Sequence, residues 1–452
     1  MSPSNAATSD RRSWLERLLA AFTEVRAGEG ISALALAFNV FLILATYYLI
    51  KPVREALILS VPGGPEIKSY ASAGQALLLL MAVPAYGWLA NRTPRMRLID
   101  TVTLIFVACL VGFYLLLHSG VSIGVAFFLW VGIFNLMIPA QFWAFANDIY
   151  TPDEGKRLFV LIAFGASLGA VFGSFLANRL IPLIGVHEML LLAAAVLAST
   201  LVVTHFVAHR ERRRFAAPAP GATDPAAEQP LSGGNAFALV FRNRYLLLLA
   251  VMLLLNNWVN SNGEYILGHI VKDAAEDFAG GRDSAVQEEF IASFYSKYFG
   301  VVNLAGMLLQ LFVVSRVIKY IGVPLAICLL PAITFGGWVF VAALPVLGVV
   351  RWVKTVENST DYSLQSTLKQ VMYLPTSRAE KYKAKQAIDT FFVRAGDVCS
   401  AVLVFAAIHL LALDVRGFAI ATLLLCATWL GVSILLGRRF RELVPGGPGT
   451  EK

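Results

Sequence analysis

The chain has little charge and little cysteine. Only 15% of its 452 residues are charged and 58% are hydrophobic, whereas soluble domains contain about 25% charged residues. Its mean hydropathy is +0.68. These values exclude an ordinary soluble fold and predict an all-α polytopic membrane protein. The four cysteines lie in apolar stretches without metal-ligand spacing, so we expect packing residues and no metal site.

The sequence lacks several motifs that are typical of enzymes and ATP-driven pumps. The sequence contains no phosphate-binding P-loop, no His/Cys metal cluster and no nucleophile motif. We therefore predict that the protein is not an enzyme, needs no cofactor and is not an ATP-driven pump. The excess of 37 basic over 29 acidic residues does not indicate nucleic-acid binding, because most of the basic residues lie in the connections between apolar segments, including the long linker.

Twelve membrane spans are predicted from the apolar segments. They are residues 33–59, 70–89, 98–118, 124–146, 158–180, 189–207, 245–270, 290–314, 323–344, 349–371, 387–410 and 418–436. Residues 1–30 are predicted to form a cytosolic amphipathic lead-in before the first span, and residues 439–452 are predicted to form a cytosolic tail. An Ala/Pro-rich basic linker, 209–236, separates a six-helix bundle at 31–208 from a second at 237–438.

Basic residues predict the orientation of the spans. The even-numbered connections and the C-terminus hold most of them, and the odd-numbered ones hold only Lys68, Lys272, Arg282 and Arg416. Because Lys and Arg are enriched in cytoplasmic loops, both termini should be cytosolic. Short loops favour a bacterial inner membrane.

The tenth span has a polar face. Its polar residues recur every three or four positions: Arg351, Lys354, Asn358, Asp361, Gln365 and Lys369. An ionisable residue near mid-bilayer costs roughly 2.5–3.5 kcal/mol on insertion scales, so this face cannot meet lipid. We predict one wall of a water-filled, charged substrate path. The alternative is a re-entrant or cytosolic amphipathic helix.

The end of span one carries charges on one face. Lys51, Arg54 and Glu55 are three and four residues apart, and Lys51 can pair with Glu55. This pattern indicates a cationic anchor for an anionic substrate. The alternative is a cluster that snorkels to the membrane edge.

Span seven has a polar face of its own, formed by Asn256, Asn260 and Glu264. It indicates a cavity in which Glu264 is an ion or proton partner. The alternative is hydrogen bonding between helices.

Three other spans carry notable residues. Span eleven holds Asp389, Arg394 and Asp397, of which the last two can neutralise each other. In span four, Gln141 precedes aromatic residues that suit either a planar ring or the membrane interface. Glycines recurring every fourth residue in span five predict close helix packing. They are Gly165, Gly169 and Gly173.

The loop after span two resembles a motif of the major facilitator superfamily. That motif reads Gly-xxx-Asp-Arg-xx-basic, and here Gly87, Asn91, Arg92 and Arg95 occupy its positions, with Asn91 in place of Asp. In that superfamily the loop acts as a cytosolic gate latch, which this resemblance implies for these residues.

Other segments resemble the ATP:ADP antiporter family, nucleotide transporters related to the same superfamily. They are residues 49–55 (LIKPVRE), 142–147 (FWAFAN), 358–364 (NSTDYSL), 369–375 (KQVMYLP), 383–389 (KAKQAID) and 394–396 (RAG). The resemblance implies a transporter in which Lys51, Arg54, Glu264 and the cations of spans ten and eleven serve the substrate. The chain departs from the family at Gln370, where Glu is usual, and at Asp397, where a cation is usual.

These patterns predict a secondary transporter that exchanges a nucleotide or related phosphorylated anion by alternating access. We expect it to act in the lipid bilayer, with a monomer favoured. Arg351, Lys354 and Arg394 would bind phosphate together with Lys51 and Arg54.

Other polar residues have separate predicted roles. The side chains that would contact a base or sugar are Gln141, Asn256, Asn260 and Asn358. The predicted charge-pairing acids are Glu55, Glu264, Asp361, Asp389 and Asp397.

Two alternatives remain open. One is a proton-coupled carrier of another organic anion or zwitterion, with Glu264 or Asp361 as the proton site. The other is a non-transporting membrane scaffold or sensor with the same fold.

Overall fold

The computed structural model describes residues 25–444, apart from 27, 91, 216–235, 282, 378–379 and 381–383. This part of the chain is helical and contains no strand. Most of the predicted lead-in, the linker and the end of the tail lie outside the described residues. The helices are α1 (Gly30–Leu59), α2 (Gly64–Ala90), α3 (Arg95–His118), α4 (Gly124–Ile149), α5 (Pro152–Ile184), α6 (Met189–Phe215), α7 (Ala236–Arg242), α8 (Arg244–Ala279), α9 (Ser284–Phe312), α10 (Val314–Ile321), α11 (Val323–Ala326), α12 (Leu329–Ala343), α13 (Leu347–Thr360), α14 (Ser366–Val371), α15 (Lys385–Ala387), α16 (Val393–His409) and α17 (Val415–Leu443).

Every predicted span falls on a helical segment. Among the described residues, nine helices are long and apolar enough to cross a membrane, or ten if α9 and α10, which meet at a bend of 47°, form one span. The helices at the second and tenth predicted spans are not among them. The prediction of an all-α polytopic membrane protein is confirmed, and the count of twelve spans stays a prediction.

The helices pack as two compact units. The first consists of the described residues of Met1–Arg54, Ala82–Ile123 and Trp130–Ala227. The second consists of those of Glu55–Met81, Gly124–Leu129 and Glu228–Lys452. The division into six-helix bundles at 31–208 and 237–438 stays a prediction.

Lys68 is not in a loop, contrary to the sequence-based prediction. The connection between α1 and α2 is short, and α2 begins at Gly64 rather than at residue 70. Gly63 adopts a φ of +67°, which a residue without a Cβ tolerates, and Gly64 lies against the backbone of Leu59. The tight turn leaves Lys68 inside the helix, where it is buried.

The glycines of α5 allow it to approach α1 closely, as predicted. A Cβ added at Gly165, Gly169 or Gly173 would overlap the α1 backbone, at Ala37, Phe41 and Ala45 respectively. Small residues permit such backbone contact between membrane helices. This contact belongs to the core of the first unit.

We therefore expect Gly169→Val to lower the free energy of unfolding by about 1–3 kcal/mol or more, because the new side chain must push α1 away. The measurement is thermal unfolding of the detergent-purified protein. Gly112→Val is the matched control, since open space surrounds Gly112 on α3. Equal melting temperatures for the two variants would contradict the close packing.

Candidate functional site

Helix α8 is the centre of the polar interior of the second unit. On one side, Asn256 Nδ2 donates to Asp361 Oδ1 at 3.2 Å and Asn260 Oδ1 accepts from Lys354 Nζ at 2.8 Å. On another side, Asn257 Nδ2 donates to Asp397 Oδ1 at 2.9 Å. Hydrogen bonds between helices, the alternative considered for this span, thus account for the contacts of these asparagines.

Five charged side chains form a continuous row of opposite charges, here called the ionic chain: Glu55, Lys68, Glu264, Lys354 and Glu357. Lys68 Nζ lies 2.7 Å from Glu55 and 3.6 Å from Glu264. Lys354 Nζ lies 3.7 Å from Glu264 and 2.8 Å from Glu357. The row joins the end of α1, the start of α2, α8 and α13 within the second unit.

Most of the ionic chain is shielded from solvent. The side chains of Glu55 and Lys354 are each 1% exposed, and those of Lys68 and Glu357 are also buried. Glu264 is the exception, with 24% of its side chain exposed. Because charges in a low-dielectric interior persist only when paired, each lysine depends on the acids on either side.

Small and polar neighbours fix the middle of the ionic chain. A Cβ at Gly263 would lie 2.8 Å from Lys354 Cδ and 2.9 Å from its Nζ, so the glycine lets this side chain lie flat on α8. Asn358 Nδ2 donates to Glu264 Oε1 at 3.2 Å and to Tyr298 Oη at 2.8 Å. These contacts orient the exposed acid, Glu264, relative to α9 and α13.

The polar stripe of the tenth predicted span turns inward, as expected. Lys354, Asn358 and Gln365 are buried, while Trp352 and Val356 on the other face are exposed. Helix α13 continues through a π-helical turn, Asp361–Gln365, into α14. Such turns are frequent at functional sites. A water-filled path along this stripe stays a prediction.

Other charged residues of the second unit form separate pairs. Arg394 Nη1 lies 3.3 Å from Asp397 Oδ2, and Lys369 Nζ lies 3.0 Å from Asp389 Oδ1. Asp397 therefore compensates Arg394 on α16, and Asp389 compensates Lys369 on α14; neither acid belongs to the ionic chain.

Arg351 is different from these cations. Its guanidinium lies 5.8 Å from the centre of the Phe294 ring and 5.9 Å from that of Trp352. Among the described residues it has no ion pair with an acid. It is half-buried, so its guanidinium remains available to a further partner.

Three predicted substrate residues belong to the first unit. Lys51 is buried, with its ammonium 5.6 Å and 5.2 Å from the ring centres of Tyr47 and Tyr48. Arg54, also in this unit, is half-buried. Gln141 is buried and Tyr86 Oη donates to its Oε1 at 3.4 Å. The predicted pair of Lys51 and Glu55 stays a prediction, and Glu55 pairs with Lys68 as described.

The predicted gating loop lies at the surface of the first unit. Arg95, at the start of α3, forms an ion pair with Asp148 near the end of α4. Arg92 lies 4.1 Å above the Trp88 ring. Gly87, in the last turn of α2, has open space where a Cβ would be. Asn91 lies outside the described residues.

Sequence reasoning missed three members of this site: Lys68, Glu357 and Tyr298. Glu357 was detectable, because it lies three residues after Lys354 and therefore shares its helix face. Lys68 had no such signal, since its place in a helix depends on the tight turn before Gly64. Tyr298 belongs to the site because its hydroxyl accepts a hydrogen bond from Asn358, a contact that the sequence does not show.

We expect Lys354→Met to destabilise the protein by about 3–5 kcal/mol, because Glu357 loses its cation and Glu264 loses one of its two lysines. Denaturant unfolding in detergent measures this loss. Lys297→Met is the control, because Lys297 is an exposed lysine on α9 and its replacement should change stability little. Equal free energies of unfolding for Lys354→Met and Lys297→Met would contradict the claim that Glu264 and Glu357 depend on Lys354 for charge compensation.

Comparison with known proteins gives a weak sequence match and a strong fold match. No family model matches the chain. ADP,ATP carrier protein 1 of Chlamydia trachomatis is 24% identical over 299 residues, and that of Chlamydia muridarum is 25% identical over 305 residues. Each alignment covers 58% of this chain and 54% of the relative. The chain thus spans about half the length of the curated relatives it matches.

Solved transporter structures match nearly the whole chain. A peptide transporter POT in complex with sulfate matches with a TM-score of 0.62 and 14% identity, covering 96% of this chain and 100% of that chain. The nucleoside transporter NupG has a TM-score of 0.58 and 14% identity, with coverages of 91% and 98%. A bacterial homologue of the human lysosomal transporter Spinster has a TM-score of 0.58 and 15% identity, with coverages of 92% and 98%.

These matches confirm the predicted resemblance and the predicted fold. At 14–15% identity the solved structures show only that the fold is shared. That fold is the one of major-facilitator-type transporters. The sequence match is independent of that fold match. The chain is a multi-pass integral membrane protein of this fold, and its sequence is similar to part of the chlamydial ADP,ATP carrier proteins.

Proposed function

We propose that the protein is a secondary transporter that exchanges a nucleotide or related phosphorylated anion across the membrane by alternating access. The observation that carries this proposal is the ionic chain inside a unit of a transporter-type fold. Replacing a buried ion pair by apolar side chains of similar size is often neutral or stabilising. A static scaffold therefore gains little from four buried charges and a fifth that is partly exposed, whereas a protein that changes conformation can use them as exchangeable contacts.

The spacing of the ionic chain supports such exchange. Each lysine has one short contact, at 2.7 or 2.8 Å, and one longer contact to Glu264, at 3.6 or 3.7 Å. Glu264 is thus held weakly by two cations and is the member that solvent reaches. A solute that bound near Glu264 would change which of its two acids each lysine pairs with more closely.

Arg351 is the cation of the second unit best suited to hold the anion. It is half-buried and without an acid partner in the described part of the chain, whereas Lys354 and Arg394 are held by acids. A guanidinium binds phosphate through two parallel hydrogen bonds. The neighbouring Phe294 offers a ring face to a planar base. In the first unit, the predicted substrate residues for phosphate are Lys51 and Arg54.

The names of the similar proteins agree with this substrate class. The chlamydial proteins that the chain matches by sequence are ADP,ATP carriers. The remaining predictions fit the same proposal: cytosolic termini, a bacterial inner membrane, a monomer and a latch function for Arg95. Asn256, Asn260 and Asn358 are proposed to position the charged groups, since their amides already bond to members of the site.

The test is counterflow in proteoliposomes. We expect proteoliposomes that contain the wild-type protein and are loaded with unlabelled ATP or ADP to accumulate labelled nucleotide from outside. Arg351→Gln should lose this accumulation, because the anion loses its guanidinium partner. Arg416→Gln is the control, since Arg416 is exposed on α17 and has no proposed role.

Two results would overturn the proposal. Accumulation of a non-phosphorylated solute with no response to nucleotides would replace the substrate class. No counterflow and no thermal stabilisation by any nucleotide, phosphorylated metabolite, carboxylate or amino acid would favour the scaffold or sensor instead.

A further inference from the structure

We propose that the interior of the first unit holds one bound water molecule, which joins Asn39 of α1 to Thr103 of α3. The site is a cavity of about 20 Å³ that is lined by residues of α1, α3, α4 and α6, all of the first unit. Its lining is apolar except for the side chains of Asn39, Thr103, Gln141, Thr200 and Thr204. The water site does not depend on the proposed exchange of nucleotides.

Asn39, which is only 1% exposed, has an unused acceptor. Its Nδ2 donates to Thr204 Oγ1 at 2.7 Å and to the Thr200 carbonyl at 3.4 Å. Because Thr204 Oγ1 already donates its own proton to the Thr200 carbonyl at 2.8 Å, it can only accept from Asn39, and this fixes the orientation of the amide. Asn39 Oδ1 therefore points away from Thr204, and it is buried with no hydrogen-bond partner among the described residues.

Thr103 has an unused proton on another side of the cavity. Its Oγ1 accepts from Gln141 Nε2 at 3.5 Å, and among the described residues its own hydroxyl proton has no acceptor. The same Gln141 amide reaches the Ile99 carbonyl at 3.4 Å. Both distances exceed the typical value of about 2.9–3.0 Å, so these hydrogen bonds are weak. In the part of the chain that the structure describes, no hydrogen bond links Thr103 or Gln141 directly to Asn39.

A water molecule supplies the missing partners of both residues. It can accept from the hydroxyl of Thr103 and donate one proton to Asn39 Oδ1. Its second proton can go to Thr200 Oγ1, which uses its own proton for the Leu197 carbonyl at 2.6 Å. A buried water needs two to four polar partners, and it satisfies polar groups that would otherwise be costly to bury.

The size and lining of the cavity favour water over other occupants. A cavity must offer roughly 10–15 Å³ to hold one water molecule, so about 20 Å³ is enough for one water and too small for a base or a sugar. None of the described residues that line it is ionisable. A bound cation or anion would therefore have no opposite charge beside it, which is costly in a low-dielectric interior.

The water completes a hydrogen-bond network through the first unit. The contacts of Asn39 tie α1 to α6, and those of Gln141 tie α4 to α3. A water between Asn39 and Thr103 joins these two sets, so that all four helices share one polar network. A bridging water is nearly as favourable in enthalpy as a direct hydrogen bond.

The first test is an experimental structure of the full-length wild-type protein in lipid, at a resolution that shows ordered water. We expect one density peak within hydrogen-bond distance of both Asn39 Oδ1 and Thr103 Oγ1. A structure without this peak, or one in which Asn39 Oδ1 accepts directly from a protein group, overturns the proposal.

The second test is a double-mutant cycle followed by thermal unfolding in detergent. Asn39→Leu and Thr103→Val remove the two water-binding groups with little change in shape. Because both variants lose the same water, Thr103→Val should lower the melting temperature of the wild type and lower that of Asn39→Leu much less. Thr101→Val is the matched control, since Thr101 is exposed on α3, and its effect should be the same in both backgrounds.

Equal losses of melting temperature from Thr103→Val in both backgrounds contradict a shared water. If Asn39→Leu does not fold, the structure of the wild-type protein decides, because it needs no variant. The melting temperature of the wild type should be the same in sodium, potassium and choline chloride. Stabilisation by sodium or potassium that Thr103→Val abolishes would assign a cation to the cavity and overturn the proposal.

Discussion

The structure depends on one constraint: a charge inside a membrane protein must have a partner of opposite sign close by. The second unit meets this constraint with a row of alternating acids and lysines, in addition to the separate pairs of Arg394 and Lys369. Lys68 and Lys354 each lie between two acids, and both are within 4 Å of Glu264. Each lysine therefore has a second acid within reach, to which its ion pair can shift.

The same constraint explains the neighbouring polar residues. Three asparagines of α8 each use their side-chain amide to hold a charged group: Asn256 holds Asp361, Asn257 holds Asp397 and Asn260 holds Lys354. Gly263 matters because Lys354 lies against its α-carbon. On α16, the acid at Asp397 compensates Arg394 and accepts from Ser261 Oγ at 2.7 Å. The residue that departs from the resembled family is thus integrated in the packing of α8 against α16.

Much of this architecture followed from the sequence, because burial in lipid constrains composition and spacing strongly. Hydropathy located the helices, and the repeat of polar residues identified the inward face of α13. The glycine repeat of α5 predicted its contact with α1. These features are local, so a single stretch of sequence contains all the information they need.

The members of the ionic chain required the tertiary structure. Lys68 was assigned to a loop, because nothing in its neighbourhood shows that Gly63 and Gly64 make the turn so tight. The role of Glu55 likewise depends on α2 returning beside α1. Lys354 was expected to bind substrate, but its contact with Asn260 emerges only when α8 and α13 are placed together. Partners far apart in sequence leave no periodic signal.

The central claim is that the lysines of the ionic chain exchange partners when solute binds. The most direct measurement is a pair of experimental structures, without solute and with the solute that stabilises the protein most. The account predicts that the distance from Lys354 Nζ to Glu264 changes from 3.7 Å by more than coordinate error, while Lys354 keeps at least one acid within ion-pair distance. If the four ion-pair distances of the ionic chain are the same in both structures, the row is a static packing element and the account is wrong.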